Sequence, residues 1–245
     1  MKKAFTLAEV LITLGVLGII GALTLPALFN DTEKNTWVNQ MKSGRSILTN
    51  GFAQMMALQG ANNLTDTELW NNVITTTVSS KNNDVKNELA KYFTIDKLED
   101  NALPTGVNVY DIFGSTSSLL NSTMRIKLAN AMTVNMVLYT ANANKKSVGE
   151  CDTIKSNGGN MCNYLANIYL DVNGNKKPNV IGKDIYNFYL GSDGRLFPFG
   201  GEDVFQYDNT NAKWKTKCDG KKLKAGCDSR ALTARVIEEG YKINY

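Results

Sequence analysis

The chain has 245 residues, a formal net charge of +4 and no histidine. The lack of histidine excludes Ser-His-Asp and Cys-His catalysis, and the sequence contains no P-loop, GxSxG or zincin motif. The composition therefore predicts a structural or binding protein and not an enzyme.

The first predicted element is an apolar helix from Phe5 to Leu25, in which Glu9 is the only ionisable side chain. At about 1.5 Å per residue its length is roughly 31 Å, close to the roughly 30 Å hydrocarbon core of a bilayer. Lys2 and Lys3 precede the run, and the positive-inside rule predicts a cytoplasmic N-terminus with the rest of the chain outside. An ordinary signal peptide or a simple signal anchor is the alternative interpretation.

A carboxylate inside a membrane helix costs about 2.5 to 3.5 kcal/mol on insertion scales, so Glu9 is expected to serve a purpose. Ala4 is directly followed by Phe-Thr-Leu-Ala-Glu, and Pro26 closes the apolar run. These features together resemble the prepilin leader and N-terminal helix of type IV pilins and type II secretion pseudopilins. The resemblance is specific up to Asn30 and generic up to Gly60, and it does not identify the rest of the chain.

The resemblance implies how this segment is processed and what it does. Prepilin peptidase would cleave after Ala4 and methylate the new amine of Phe5, although many family members carry glycine before the cut. Glu9 of an incoming subunit would then pair with the Phe5 amine of the last assembled one, which cancels two charges and fixes the axial register. Pro26 would bend or loosen the helix, or simply mark the end of the membrane span.

The resemblance also implies partners, a location and a domain organisation. The partners are copies of the chain, other pilins or pseudopilins, prepilin peptidase, the inner-membrane assembly platform and membrane lipid. The expected product is a single-pass protein of the inner (cytoplasmic) membrane whose extracytoplasmic head assembles into a periplasmic or cell-surface filament. The expected segments are a leader at 1–4, a transmembrane and assembly helix at 5–29, its amphipathic continuation at 30–60 and an α+β head at 61–245.

Helical spacing continues beyond Asn30, because apolar side chains recur mostly every three to four residues. This apolar stripe consists of Trp37, Met41, Leu48, Phe52 and Met55. It predicts that the helix extends to about Gly60 and packs on a sheet. Residues 61–121 are predicted to be mostly helical and loop, with a capping box at Thr65–Glu68 and a short helix over Asp84–Phe93.

The remainder of the chain has β-like patterns, and Gly191–Gly194 forms a predicted turn that leads to Leu196. The predicted strands cover residues 124–128, 132–139, 168–172 and 185–190. The expected fold class is α+β and pilin-like. It has a long N-terminal transmembrane and amphipathic helix packed on a small antiparallel sheet, with a helical insertion and a disulfide-bonded C-terminal region.

Four cysteines lie in the C-terminal part of the chain, at Cys151, Cys162, Cys218 and Cys227. Outside the cytoplasm disulfides form and persist. The spacings match no common zinc pattern and no histidine exists to assist, so disulfides are favoured over zinc. Three connectivities are open, and we favour the local pairs Cys151–Cys162 and Cys218–Cys227.

A short polar stretch invites comparison with calcium loops. Asp171, Asn173 and Asn175 alternate as in the first half of an EF-hand loop, and Gly174 permits a tight turn. The later bidentate glutamate is missing and two lysines follow directly. An ordinary Asx-rich turn is therefore favoured over a calcium site at this position.

A second stretch, Leu190–Gly194 with Gly200–Asp203, resembles the C-terminal loop that holds calcium in the major pseudopilin of type II secretion. The match is short, and it lacks the spacing and the final tryptophan of that family. Asp193 and Asp203 are the first calcium ligands to test, and no other cofactor is expected.

A lysine-rich stretch lies between Trp214 and Cys227, with Lys213 directly before it. Its members are Lys213, Lys215, Lys217, Lys221, Lys222 and Lys224. Basic side chains beside an aromatic ring suit DNA, but a solvated loop is the favoured interpretation. The main alternative to a filament subunit is thus a membrane-anchored or filament-tip adhesin, which would bind a ligand or DNA through its head.

Overall fold

The structure is a computed structural model of the chain. It describes residues 6–80, 82–99, 103–121, 123–141, 164–201 and 214–245. The chain divides into two compact units, Met1–Thr36 and Trp37–Tyr245. Each unit is described by itself.

The longest element is helix α1, Leu7–Gln59, which continues through Pro26. It ends at Gly60, which adopts a left-handed conformation with φ of 63°. The N–H of Ala61 donates to the carbonyl of Met56 at 2.9 Å, which satisfies one of the last carbonyls of the helix. The predicted end of this helix is therefore confirmed.

The first unit contains an 18-residue window of α1, Leu7–Thr24, with a mean hydropathy of 2.1 and none of it buried. By length and composition this window could cross a membrane. A signal sequence near an N-terminus meets the same criteria, so the window establishes a candidate anchor or signal and nothing finer.

The second unit is built on a six-stranded antiparallel sheet whose spatial order follows the sequence, β1-β2-β3-β4-β5-β6. The strands are β1 Ile95–Glu99, β2 Met124–Leu128, β3 Thr133–Leu138, β4 Ala166–Asp171, β5 Ile185–Leu190 and β6 Leu196–Pro198. The predicted antiparallel sheet is confirmed. Strand β1 was not predicted, because residues 61–121 were expected to be mostly helical and loop.

Short helices complete this unit. They are 3-10 turns at Leu64–Asp66 and Ser229–Ala231, a π-helical turn at Leu69–Val73, and helices α2 Asn83–Leu89, α3 Trp214–Lys217 and α4 Leu232–Glu238. The fold class is thus α+β, as predicted.

The second half of α1 packs on one face of the sheet. From the predicted stripe, Met41, Leu48, Phe52 and Met55 are buried and Trp37 is partly buried. On the sheet side the core holds Ile126, Val134, Met136, Ile168, Leu170, Tyr186 and Phe188. The amphipathic stripe and its packing on a sheet are therefore confirmed.

Two details of the helical insertion were predicted wrongly. Thr65 does not open a capping box, because Asn63 is the N-cap and its side chain accepts the N–H of Thr65 at 3.0 Å. Helix α2 ends at Leu89, before Phe93, whose ring packs edge-on against Phe52 at 5.1 Å between centroids. Strand β1 begins two residues after Phe93, at Ile95.

The opposite face of the sheet is partly polar. Thr133, Asn135, Tyr169, Asp171 and Asn187 lie on it and are buried. Two smaller apolar clusters cover this face, and they draw on segment 103–121 and on the C-terminal segment 214–245. Polar side chains are thereby enclosed beneath loops, where they need partners.

Candidate functional sites

Thr6 and Glu9 cap the start of α1 by hydrogen-bonding to each other. The N–H and the hydroxyl of Thr6 donate to Glu9 Oε2 at 2.8 and 2.9 Å, and the N–H of Glu9 donates to Thr6 Oγ1 at 3.3 Å. This is a capping box, in which each side chain satisfies an N–H that the first helical turn leaves without a partner. It also places a negative charge at the positive end of the helix dipole.

Sequence reasoning missed this role of Glu9, although Thr-Leu-Ala-Glu matches the S/T-x-x-E pattern of a capping box. The predicted processing residues Ala4 and Phe5 lie outside the described residues. Pro26 lies within α1, which extends on both sides of it.

The described residues leave the surface of the apolar window uncovered. Leu7, Leu11, Ile12, Leu17 and Leu23 each expose more than half of their area. Gly15 and Gly18 have no heavy atom within 4 Å of an added Cβ. A surface of this kind calls for an apolar cover from lipid or from another chain.

One predicted disulfide is confirmed. Cys218 and Cys227 are bonded, with an S–S distance of 2.06 Å and a Cα–Cα distance of 5.0 Å. The guanidinium of Arg235 holds the enclosed loop by donating to the carbonyls of Cys218 at 2.5 Å and Gly220 at 2.8 Å. Cys151 and Cys162 lie outside the described residues.

A buried polar cluster occupies the second face of the sheet, and Arg125 is at its centre. Its side chain is fully buried and donates to the amide oxygens of Asn135 at 3.2 Å and Asn175 at 2.5 Å. Asp171, at the end of β4, is 2% exposed and accepts a hydrogen bond from the hydroxyl of Thr133 at 3.2 Å.

The loop from Val172 to Asp184, called the β4–β5 loop below, adds a second carboxylate to this cluster. Asp184 is fully buried and accepts the backbone N–H of Asn179 at 2.8 Å and of Val180 at 2.7 Å. Gly174 has a φ of 68°, and a Cβ there would lie 2.9 Å from the carbonyl of Ala131. The loop is therefore pinned against the turn between β2 and β3.

The two carboxyl groups influence each other. Burial first, and then the neighbouring Asp184, raise the pKa of Asp171 to about 8, although Arg125, Thr133 and the N–H of Asn173 oppose the shift. Burial also raises the pKa of Asp184, against hydrogen bonds from backbone N–H groups and from the side chain of Asn173. The cluster thus holds two carboxyl groups that burial disfavours as anions.

The structure does not bring the predicted calcium ligands together in one place. Asp193 lies in the turn before β6, where the N–H and Nε of Arg195 donate to its carboxylate at 3.0 and 2.5 Å. Asp203 lies outside the described residues. Asp171, Asn173 and Asn175 all lie at the β4–β5 loop, but the amide oxygen of Asn175 accepts from Arg125. Across the described ranges, no three His, Cys, Asp or Glu side chains are grouped as a metal site.

The lysine-rich stretch is largely solvated where the structure describes it. Lys215 pairs with Glu238 at 3.6 Å, and Lys213 lies outside the described residues. The side chains of Lys221, Lys222 and Lys224 are exposed. Their exposure agrees with a solvated loop.

A separate basic cavity of about 490 Å³ lies between α1 and β6. Arg45 donates to Tyr241 Oη at 3.2 Å and to the carbonyl of Leu196 at 3.1 Å, and Lys42 lies 4.5 Å from the centroid of the Tyr241 ring. The lining also includes Ser46, Thr49, Asn50, Arg195, Phe197 and Pro198. The cavity is rich in hydrogen-bond donors, so it suits an anion.

Sequence reasoning missed Arg125, Asp184 and the basic cavity. The alternation of β2 predicts only that Arg125 shares a face with Lys127, and it does not reveal which of the two is covered. The only sequence signal for Asp184 is that it is a second acid after Asp171, at the far end of a stretch rich in asparagine and glycine.

Comparison of the chain with protein-family models, with curated proteins and with solved structures gave no match.

Proposed function

We propose that the chain is a structural subunit, a pilin or pseudopilin, of a type IV pilus-like or type II secretion-like filament. The subunit is processed by prepilin peptidase, held in the inner membrane by its N-terminal helix, and assembled through that helix with copies of itself or with related subunits. Its role is mechanical and not catalytic.

The observation that carries this proposal is the N-terminal segment. Ala4 precedes Phe5, and Glu9 is the only ionisable group in an apolar stretch whose 18-residue window is not buried by the described residues. The capping box and the helix dipole explain part of what Glu9 does, because its carboxylate satisfies N–H groups at the positive end of the helix. Neither requires a charge inside a membrane-length apolar segment, where a charge is costly, and pairing with an amine of a neighbouring subunit supplies a reason for that charge.

N-terminal mass analysis of the protein from its native membrane tests the proposal. The expected product begins at N-methylated Phe5. A chain that starts C-terminal to the apolar run would identify the segment as a cleaved signal peptide, and it would exclude assembly through this helix.

A second candidate function is a membrane-anchored or filament-tip module that binds an anionic ligand, including DNA. The basic cavity favours it, because Arg45 is partly buried there and its guanidinium donates to two neutral oxygens, Tyr241 Oη and the carbonyl of Leu196. The test is fluorescence anisotropy of labelled DNA with full-length protein. Lys42→Ala with Arg45→Gln should weaken binding, whereas Lys221→Ala with Lys222→Ala is the matched control on the solvated loop. Equal loss in both double variants, or no binding by the parent, excludes this cavity.

A further inference from the structure

Two buried side-chain oxygen atoms where β4 meets the β4–β5 loop, Asp171 Oδ1 and Asn173 Oδ1, accept no hydrogen bond from the described residues. Asp171 is 2% exposed, so water has little access to its carboxylate. A buried acceptor without a donor costs about 1 to 3 kcal/mol, and more when it is charged. Such atoms usually bind something, and an oxygen pair without donors suits a cation.

Asn173 uses one end of its side-chain amide within the loop. Its side-chain nitrogen donates to the carbonyl of Lys177 at 3.3 Å. The remaining end of this amide is an oxygen, which is one of the two atoms without a donor.

Two backbone carbonyl oxygens of the loop lie close to the side chain of Asn179. The side-chain nitrogen of Asn179, in the amide orientation that satisfies both of its ends, lies 3.1 Å from the carbonyl of Lys176 and 3.3 Å from that of Gly174. The loop thus gathers carboxylate, amide and peptide oxygens, which are the ligand types that calcium takes in proteins. Magnesium demands a stricter octahedral arrangement, and a loop with mixed oxygen types suits calcium better.

The charges of the buried cluster also favour a cation. Asp171 and Asp184 bring two carboxylates, and Arg125 brings one guanidinium that donates to Asn135 and Asn175. Two carboxylates against one guanidinium leave negative charge to be compensated when both acids are ionised. Asp184 also supplies a second acid later in the loop, where the EF-hand-like stretch lacks its bidentate glutamate.

We propose that the β4–β5 loop binds a calcium ion through Asp171 Oδ1 and Asn173 Oδ1, with Asp184 and loop carbonyls completing the oxygen set. This site is distinct from the stretch around Asp193, whose carboxylate is held by Arg195. The proposal does not depend on the filament function, because the site lies wholly within the second unit of the chain.

Calorimetric titration of full-length protein in detergent micelles, stripped of metal with a chelator, tests this site. The probe is calcium chloride, and thermal unfolding followed by circular dichroism is the second readout. The expected result is saturable binding of one calcium ion with a rise in Tm. Absence of both saturable heat and a Tm shift overturns the proposal.

Three variants locate the ion. Asp171→Asn keeps the shape of the side chain and should weaken calcium binding on the order of tenfold or more, because ligand charge sets affinity. Asn173→Asp adds a charged ligand and should strengthen binding, which is a gain that misfolding cannot mimic. Asp193→Asn is the matched control and should bind as the parent does. Unchanged affinity in both loop variants, or loss of binding in the control, overturns the assignment.

Discussion

Glu9 shows how one side chain can serve two partners. In the structure its carboxylate caps its own helix through Thr6, and in the proposed filament it pairs with the amine of a neighbour. The two roles need different properties, because a cap needs only an acceptor oxygen and an ion pair needs a charge. A neutral side chain with an acceptor oxygen at position 9 would therefore keep the capping role and lose the ion-pairing role.

Glu9→Gln is expected to keep the capping box and to insert in the membrane normally, yet to enter filaments as poorly as Glu9→Val. Immunoblots of sheared surface fractions against membrane fractions measure incorporation. Thr6→Ser, which keeps the hydroxyl, is the control and should assemble normally. Normal assembly of Glu9→Gln would show that Glu9 acts only as a cap.

Arg125 is the side chain on which the buried polar cluster depends. Arg125→Met is expected to lower the free energy of unfolding by about 3 to 5 kcal/mol, because it removes the cation near the buried Asp171 carboxyl group and the hydrogen bonds to Asn135 and Asn175. Lys127→Met is the matched control: it lies on the same strand, its exposed pair with Asp96 spans 3.1 Å, and its loss should cost about 0.5 kcal/mol or less. Urea unfolding of both variants in one detergent measures the difference, and equal losses would contradict a structural role for Arg125.

At the scale of elements, two glycines of α1 lie in close contact with the head. A Cβ at Gly51 would lie 2.0 Å from Cε1 of Phe93, and one at Gly44 would lie 2.6 Å from Cδ2 of Leu170. The ring of Phe93 and the side chain of Leu170 occupy the space that a side chain at these two positions would need. Helix α1 therefore packs closely on the head at both glycines.

Gly51→Ala is expected to destabilise the head by about 1 to 3 kcal/mol through overpacking, despite the better helix propensity of alanine. Thermal unfolding by circular dichroism measures the change. Phe93→Leu in the same chain should recover part of the loss by making room, and Gly18→Ala, with open space around it, should not lower the Tm. A neutral Gly51→Ala would contradict the close packing.

The elements that the sequence predicted are those whose pattern is local. The stripe from Met41 to Met55 repeats with helical period, and β5 is an apolar and aromatic run interrupted only by Asn187, so both could be predicted from a local pattern. β1 was missed because its two apolar residues, Ile95 and Leu98, are three positions apart across an irregularity in register, and its other three side chains are charged. Its partner β2 also lies beyond a long connection. Burial of Arg125 was missed for a related reason, since its cover comes from segments distant in the chain.

At the scale of the whole molecule, the two lysines before α1 predict the orientation of the chain. A C-terminal alkaline phosphatase fusion is expected to be active and a green fluorescent protein fusion dark, because the former folds outside the cytoplasm and the latter does not. Replacing Lys2 and Lys3 by Glu should reduce phosphatase activity. A fluorescent, phosphatase-inactive pair would place the head in the cytoplasm and contradict the proposed location.

The order of the strands has a consequence for how the head forms. Each strand of β1-β2-β3-β4-β5-β6 pairs with the strand made just before it, so the sheet can grow at one edge while the chain is being synthesised. Part of the polar second face is covered by residues 214–234, which follow β6 in the chain. The strands can therefore pair before this cover exists, and the polar side chains beneath it remain in contact with water until residues 214–234 fold onto the sheet.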